Sequence, residues 1–350
     1  MSEEPEVIVR TDGFAGRLTL NRPRALNALT ADMCEAISAA VLAWKDDDAI
    51  GSVIIDHAGE RAFCAGGDVR KVAESAAGDG REARRFFASE YRMNELLHRY
   101  PKPVTAIMDG ITMGGGVGIS LPAHHRIATE RTVWAMPEGD IGLFPDVGAG
   151  WYLPRLPGET GAWLALTGAR LKGPDCRALG IATVFVESAR LEALKAALVA
   201  APSLPSDVFT PFAQDPWPAP VADRLPAIDA PFAHDTVEEI MAALKADGSD
   251  WALEQHAVMA GKCPTTLKVA LRLIREGAGR EGFAGEMAVE YRLAVRMTRR
   301  HDFLDGVRAL LVDKDNAPTW SPPRLEDVTG TMLDELFSPL PAGEEWTPLP

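Results

Sequence analysis

Four glycines fall within five positions, Gly114, Gly115, Gly116 and Gly118. The apolar run Val104-Thr-Ala-Ile-Met108 precedes them and reads as a short buried strand. Asp109 and Gly110 break that strand, and an apolar, helix-like continuation follows the glycines to Ser120. Without Cβ atoms the backbone can approach a ligand closely. A helix that opens there points unpaired N–H groups outward, which suits an anion or a developing oxyanion. A tight strand-to-helix turn packed on a sheet explains the same residues equally well. Two nucleotide-binding loops are excluded. No Gly-Lys-Ser/Thr follows, and the dinucleotide spacing fails because Gly114 and Gly116 are followed by Ile119.

The rest of the chain repeats a rhythm of strand, strand, helix. Val7–Val9 and Arg17–Leu20 form a hairpin through Asp12-Gly13. Thr30 is placed to cap a helix whose Met33, Ile37, Val41 and Trp44 share one face. A strand over Ser52–Asp56 leads to a second glycine turn, Ala62-Phe-Cys-Ala-Gly-Gly-Asp68. Helices broken at Gly78-Asp-Gly80 follow, and the second carries Glu90 among Phe86, Phe87, Leu96 and Leu97. A solvated helix face is the ordinary place for such a glutamate. Such repetition predicts an α/β spiral of stacked ββα units over residues 1–200 rather than one flat doubly wound sheet. Eight prolines in residues 202–231 predict an irregular connector, 201–236. Helical periodicity resumes over 237–337, and residues 338–350 read as a loose tail.

Chemistry concentrates in Met136-Pro-Glu-Gly-Asp-Ile-Gly-Leu-Phe-Pro-Asp146. Three carboxylates stand among glycines, prolines and large apolar groups. Partial desolvation there raises a carboxyl pKa and suits acid–base or nucleophilic work. Capping of local turns is the plainer role, and it fits Asp140 best. The net charge of −14 argues against nucleic acid and anionic membranes as partners. Cys34, Cys64, Cys176 and Cys263 are too scattered for zinc or a redox pair, and no metal motif is present. They read as reduced thiols of a cytoplasmic protein. The acidic start, Met-Ser-Glu-Glu-Pro-Glu-Val, is unlike a signal or transit peptide. No apolar run reaches the length of a transmembrane helix.

Taken together and in this order, Asn21-Arg-Pro-Arg-Ala-Leu-Asn-Ala-Leu29, Ala62–Asp68, Ile111–Gly118 and Met136–Gly150 resemble the enoyl-CoA hydratase/isomerase (crotonase) superfamily. Phe86–Asn94, Leu153–Pro157, Leu166–Gly173 and the stretch from His301–Phe303 through Lys314–Pro318 extend the likeness over nearly the whole chain. The resemblance implies a crotonase-like spiral, an acyl-CoA thioester as substrate, and no cofactor beyond the CoA of that substrate. It assigns the oxyanion to the N–H groups of Gly67 and Gly115, with the helix dipole assisting at Gly115. Arg24, Ala25, Leu26, Ala28, Ala65, Gly67 and Asp68 are implied to line the CoA path, with Arg22 or Arg24 near its phosphates. Glu90, Gly115, Glu138 and Asp146 are implied to contact substrate.

One departure decides the reaction. Hydratases of this superfamily use two glutamates to add water across a C=C bond. Here the first position is Gly118 and only the second, Glu138, remains. The hydrolase subgroup shares that glycine and the Phe144-Pro-Asp146 sequence. Its resemblance implies hydrolysis of a 3-hydroxyacyl-CoA, with 3-hydroxyisobutyryl-CoA and valine breakdown foremost. Glu138 then acts as nucleophile or general base. Asp146 accepts a bond from the 3-hydroxyl, and Glu90 orients Asp146, the substrate or a water. An enoyl-CoA hydratase or isomerase, an idle CoA- or RNA-binding member, and a thioesterase for another acyl group are the rivals. The C-terminal helices are expected either to build a homo-oligomer or to fold back over the site.

Overall fold

A computed structural model describes residues 4–203, 206–216 and 218–350. Two sheets form its frame. The larger runs Val7–Asp12, Ala15–Leu20, Ser52–His57, Val104–Met108, His125–Ala128, Val184–Phe185 in spatial order. Its first pair is antiparallel and the remaining pairs are parallel. The smaller runs Ala62–Cys64, Ile111–Met113, Val133–Ala135, Leu171–Lys172, with its last pair antiparallel. The chain visits the large sheet, then the small one, and then a helix, turn after turn. This is the expected α/β spiral of ββα units.

Alternation along the strands explains why both faces of the large sheet are covered. Val53 and Ile55 point to the main core, and Ile54 points to the other face. There Ile54, Ile107 and Ile127 meet Leu191, Leu194 and Leu198 of the helix Leu191–Ala200. Thr30 caps Ala31–Lys45 by accepting from the N–H of Met33 at 3.2 Å.

Two expectations need correction. Within the proline-rich stretch, residues 220–232 form a helix despite Pro226 and Pro231 inside it. Pro220 opens it where a missing N–H is harmless, and the buried Val221, Ile228 and Phe232 keep a helical spacing. Burial of that stripe outweighs the lost backbone bonds. Residues 204, 205 and 217 of the expected connector lie outside the described residues. The tail 338–350 is not loose either. Leu340 and Trp346 are buried, Arg292 Nε sits 3.0 Å from Glu345, and Arg84 Nη1 sits 2.8 Å from Glu344. Arg92 and Arg99 donate to the carbonyls of Thr347 and Leu349. Arg84, Arg92 and Arg292 project from two helices, Arg81–His98 and Phe283–Met297, Arg99 directly follows the first, and sequence gives no sign of their partners.

The C-terminal region is helical as expected, and its helix Asp250–Ala260 is capped by Ser249. Farther on, His301–Val307 packs against the turn Glu138–Ile141 so closely that a Cβ on Gly306 would lie 2.6 Å from the carbonyl carbon of Ile141. The region therefore folds back onto the carboxylate loop. Among the described residues, no helix is long and apolar enough to cross a membrane.

Candidate active site

Parallel pairing of Ala62–Cys64 with Ile111–Met113 carries the two glycine turns to one place. They are in contact there: a Cβ on Gly114 would stand 3.2 Å from the Cα of Gly66. Gly114 has φ 47° and ψ −120°, which a side chain opposes. Among the described residues, neither the Gly67 nor the Gly115 N–H donates to a backbone carbonyl. Both glycines line a cavity of about 270 Å³. A Cβ at residue 115 would lie 2.5 Å from Glu90 Oε1, and one at residue 67 would lie 2.5 Å from Phe86 Cζ.

Three carboxyl groups meet in this cavity. Glu90 comes from the helix Arg81–His98, Glu138 from the turn Glu138–Ile141, and Asp146 from the loop beyond it. All are buried, so Glu90 does not occupy the solvated helix face usual for its type. Glu138 Oε1 lies 3.3 Å from where Gly114 would carry a Cβ, and among the described residues neither Glu138 oxygen has a hydrogen-bond partner. Glu90 Oε1 also lacks one. Asp146 Oδ2 accepts from the phenol of Tyr91 at 2.7 Å.

Burial pushes all three groups toward the protonated form, and the charges of neighbouring acids add to it at Glu90 and Glu138. Burial, followed by the charges of Asp146 and Glu138, raises the Glu90 pKa well above the ordinary carboxyl value. Burial and then Asp146 do the same to Glu138, against a pull from Lys262. Burial raises Asp146 to about 6, and the Tyr91 bond opposes the rise. Coupled acids titrate as a set, so their protonation belongs to the group rather than to one residue. The arrangement can hold one carboxylate ready to attack or to take a proton beside neutral neighbours.

Gly67, Ala65, Glu90, Gly115, Glu138 and Asp146 thus share one cavity. The other residues assigned to the CoA path are not on its wall. Arg24 and Ala25 are exposed on the turn Pro23–Ala25. Leu26 and Ala28 lie in the loop that pairs with the first glycine turn, through Ala65 N to Leu26 O at 3.0 Å and Leu29 N to Gly66 O at 2.8 Å. Asp68 is 3.1 Å from Arg22, whose guanidinium also reaches Glu6 and the carbonyl of Ala28. Arg22 is spent on holding this loop. Asp140 pairs with Lys262 at 2.5 Å, in keeping with a local structural role.

Sequence reasoning missed several wall residues. Met113 and Leu143 complete the apolar lining, Leu310 and Leu311 come from the far C-terminal region, and Arg170 stands at the edge. Tyr91 follows Glu90 directly, but nothing local tells which face it serves. Leu310 and Leu311 have no local signal, because only the folding-back of their helix brings them here. Asn94, one helical turn beyond Glu90, is fully buried with neither side-chain polar atom partnered.

The chain is similar to known proteins over nearly its whole length. The 3-hydroxyisobutyryl-CoA hydrolase, mitochondrial, of Xenopus laevis is 46% identical over 337 residues, 94% of this chain and 87% of that one. The protein of that name from Homo sapiens is 42% identical over 344 residues, covering 96% and 89%. Among solved structures, a carnitinyl-CoA dehydratase from Mycobacterium thermoresistibile superposes with a TM-score of 0.93 at 39% identity, over 98% of this chain and 99% of that one. An enoyl-CoA hydratase from Rhodobacter sphaeroides 2.4.1 gives 0.91 at 38%, over 98% and 100%. A family model described as enoyl-CoA hydratase/isomerase matches residues 15–337, and the chain belongs to that family.

Proposed function

We propose that this chain hydrolyses 3-hydroxyisobutyryl-CoA to 3-hydroxyisobutyrate and CoA. The observation that carries the reading is the Glu138 carboxyl beside the glycine turn, both of its oxygens unpartnered among the described residues, with glycine instead of an acid at residue 118. Water addition across a double bond in the hydratase manner needs two carboxyls. Thioester hydrolysis needs one, together with a pair of donors for the oxyanion. The two solved neighbours are titled dehydratase and hydratase, whereas the curated relatives are named hydrolases. Gly118 favours the hydrolases.

In this reading the thioester oxygen sits between the N–H groups of Gly67 and Gly115. Losing one such donor costs about 3–4 kcal/mol of transition-state stabilisation. Glu138 either attacks the carbonyl carbon, giving a mixed anhydride that water cleaves, or takes a proton from the attacking water. In both routes the C–S bond breaks and CoA leaves as a thiolate that then takes up a proton. Burial raises the Glu138 pKa, and a raised pKa makes its carboxylate form a stronger base. Asp146 accepts the substrate's 3-hydroxyl and selects for it, since a site built to bond a hydroxyl rejects analogues without one. CoA enters only with the substrate. Valine breakdown is the implied setting. A cytoplasmic location is part of the reading, although the relatives' names place them in mitochondria. Fractionation of cells expressing the full chain tests it.

Release of CoA thiol from 3-hydroxyisobutyryl-CoA, isobutyryl-CoA and crotonyl-CoA separates the alternatives. Fast release from the hydroxyacyl substrate alone is expected. Loss of the crotonyl double bond without thiol release would make the chain a hydratase.

A further inference from the structure

A second group of buried acids lies behind the site, on the helix Phe283–Met297. Glu290 is fully buried there and does not line the cavity. Its Oε2 accepts from the N–H of Gly148 at 2.8 Å, and its Oε1 accepts from the N–H of Gly150 at 3.2 Å. The carbonyl of Asp146 meanwhile accepts from the N–H of Ala149 at 3.0 Å. The loop that carries Asp146 is therefore held at three successive N–H positions, two of them by one side chain from a distant part of the chain.

What these bonds hold is strained. Val147, next to Asp146, has φ +54°. A β-branched residue rarely adopts that conformation, and it persists only where its surroundings over-determine it. The reversal at Val147 directs two neighbouring side chains apart. The carboxyl of Asp146 goes to the cavity and the phenol of Tyr91. The valine goes behind it, into the space a side chain at residue 118 would use. Extended backbone at residue 147 would send both side chains elsewhere.

We propose that Glu290 is the positioning residue for Asp146: it clamps the 147–150 turn in its left-handed form and so sets selection for the substrate's hydroxyl. The proposal rests on the hydroxyl-selecting role given to Asp146 above. Glu290 touches no substrate and acts only through the loop. Its neighbour Glu286 forms an ion pair with Arg280 at 2.5 Å and fills the space beside Gly150, where a Cβ would lie 2.0 Å from Glu286 Oε1. No side chain at residue 150 can take over the clamp.

The test is Glu290→Gln, which keeps the size but leaves only one oxygen to accept two N–H groups. The expected result is a fall in kcat/KM for 3-hydroxyisobutyryl-CoA of about tenfold to a hundredfold, with isobutyryl-CoA hydrolysis nearly unchanged. Selectivity for the hydroxyl therefore collapses. Equal slowing of both substrates, or none, overturns the proposal. A crystal structure of the variant gives a second reading independent of activity. It should show Val147 at negative φ and the Tyr91–Asp146 bond broken. An unchanged turn overturns the proposal even if the chain proves not to be a hydrolase. If wild type releases no thiol, the functional reading fails, and the structure of the variant alone decides the role of Glu290. Should Glu290→Gln not fold, Glu290→Asp carries the same comparison, since its shorter carboxylate cannot reach both N–H groups.

Discussion

The phenol of Tyr91 donates to Asp146 Oδ2 at 2.7 Å, inside a pocket where burial pushes that acid up to about 6. A hydrogen bond to the charged form favours it, so the phenol holds the Asp146 pKa down. As a carboxylate, Asp146 is the better acceptor for a hydroxyl. Activity on a hydroxyacyl-CoA should therefore rise with pH through about 6 in the free enzyme. Tyr91→Phe should shift that rising limb to higher pH. A limb that stays in place, measured as kcat/KM against pH, would remove Asp146 from the titration.

Glu138→Gln should lower thiol release by about 10²- to 10⁴-fold while acyl-CoA binding stays close to wild type. The side chain is unpartnered, so its loss breaks no structural bond. Calorimetric binding of a non-hydrolysable acyl-CoA beside the rate assay separates the two effects. Retained turnover would mean another group starts the reaction.

A Cβ on Gly118 would lie 2.6 Å from Val147 Cβ and 3.0 Å from Asn94 Nδ2. Gly118→Ala should destabilise the fold by about 1–3 kcal/mol through overpacking. Adding Val147→Gly removes the collision, so the two changes should couple by about 1 kcal/mol or more in a double-mutant cycle. Additive denaturation energies would show that the two residues do not compete for space. Gly118→Glu should give no hydration of crotonyl-CoA, because the acid has nowhere to sit.

Glu90 has a pKa raised well above its ordinary value, chiefly by burial. For an acid raised in the folded state, the unfolded chain loses its proton first as pH increases. Stability then falls through the window between the unfolded and folded pKa values and is regained on acidification. Glu90→Gln removes that charge. Its melting temperature should exceed wild type by about 2 °C or more near about pH 8. The difference should shrink toward about pH 4.5, the ordinary glutamate value. A pH-independent difference, or a loss of stability at high pH, would contradict this account.

Particular residues show where the sequence was legible. The glycine turns at 66–67 and 114–118, and the acids at 138 and 146, stand out because close backbone approach and desolvated carboxyls leave local marks. Glu90 stands among apolar neighbours, but a helix wheel cannot say which face will be covered. The helix at 220–232 was hidden by its prolines, whose local preference is outweighed by burial of Val221, Ile228 and Phe232. The tail reads as loose because its partners Arg84, Arg92 and Arg99 lie some 250 residues away in sequence, as with Arg92 and Thr347.

The sequence by itself determined the ββα rhythm, the two glycine turns and the absence of a second acid at residue 118. These follow from alternation, missing side chains and residue identity, all local properties. Only the tertiary structure decided that Glu90, Glu138 and Asp146 are buried in one pocket, that Leu310 and Leu311 wall it, and that Glu290 grips the loop behind it. Desolvation and hydrogen-bond partnership arise from atoms brought together across the chain, so no window of sequence contains them.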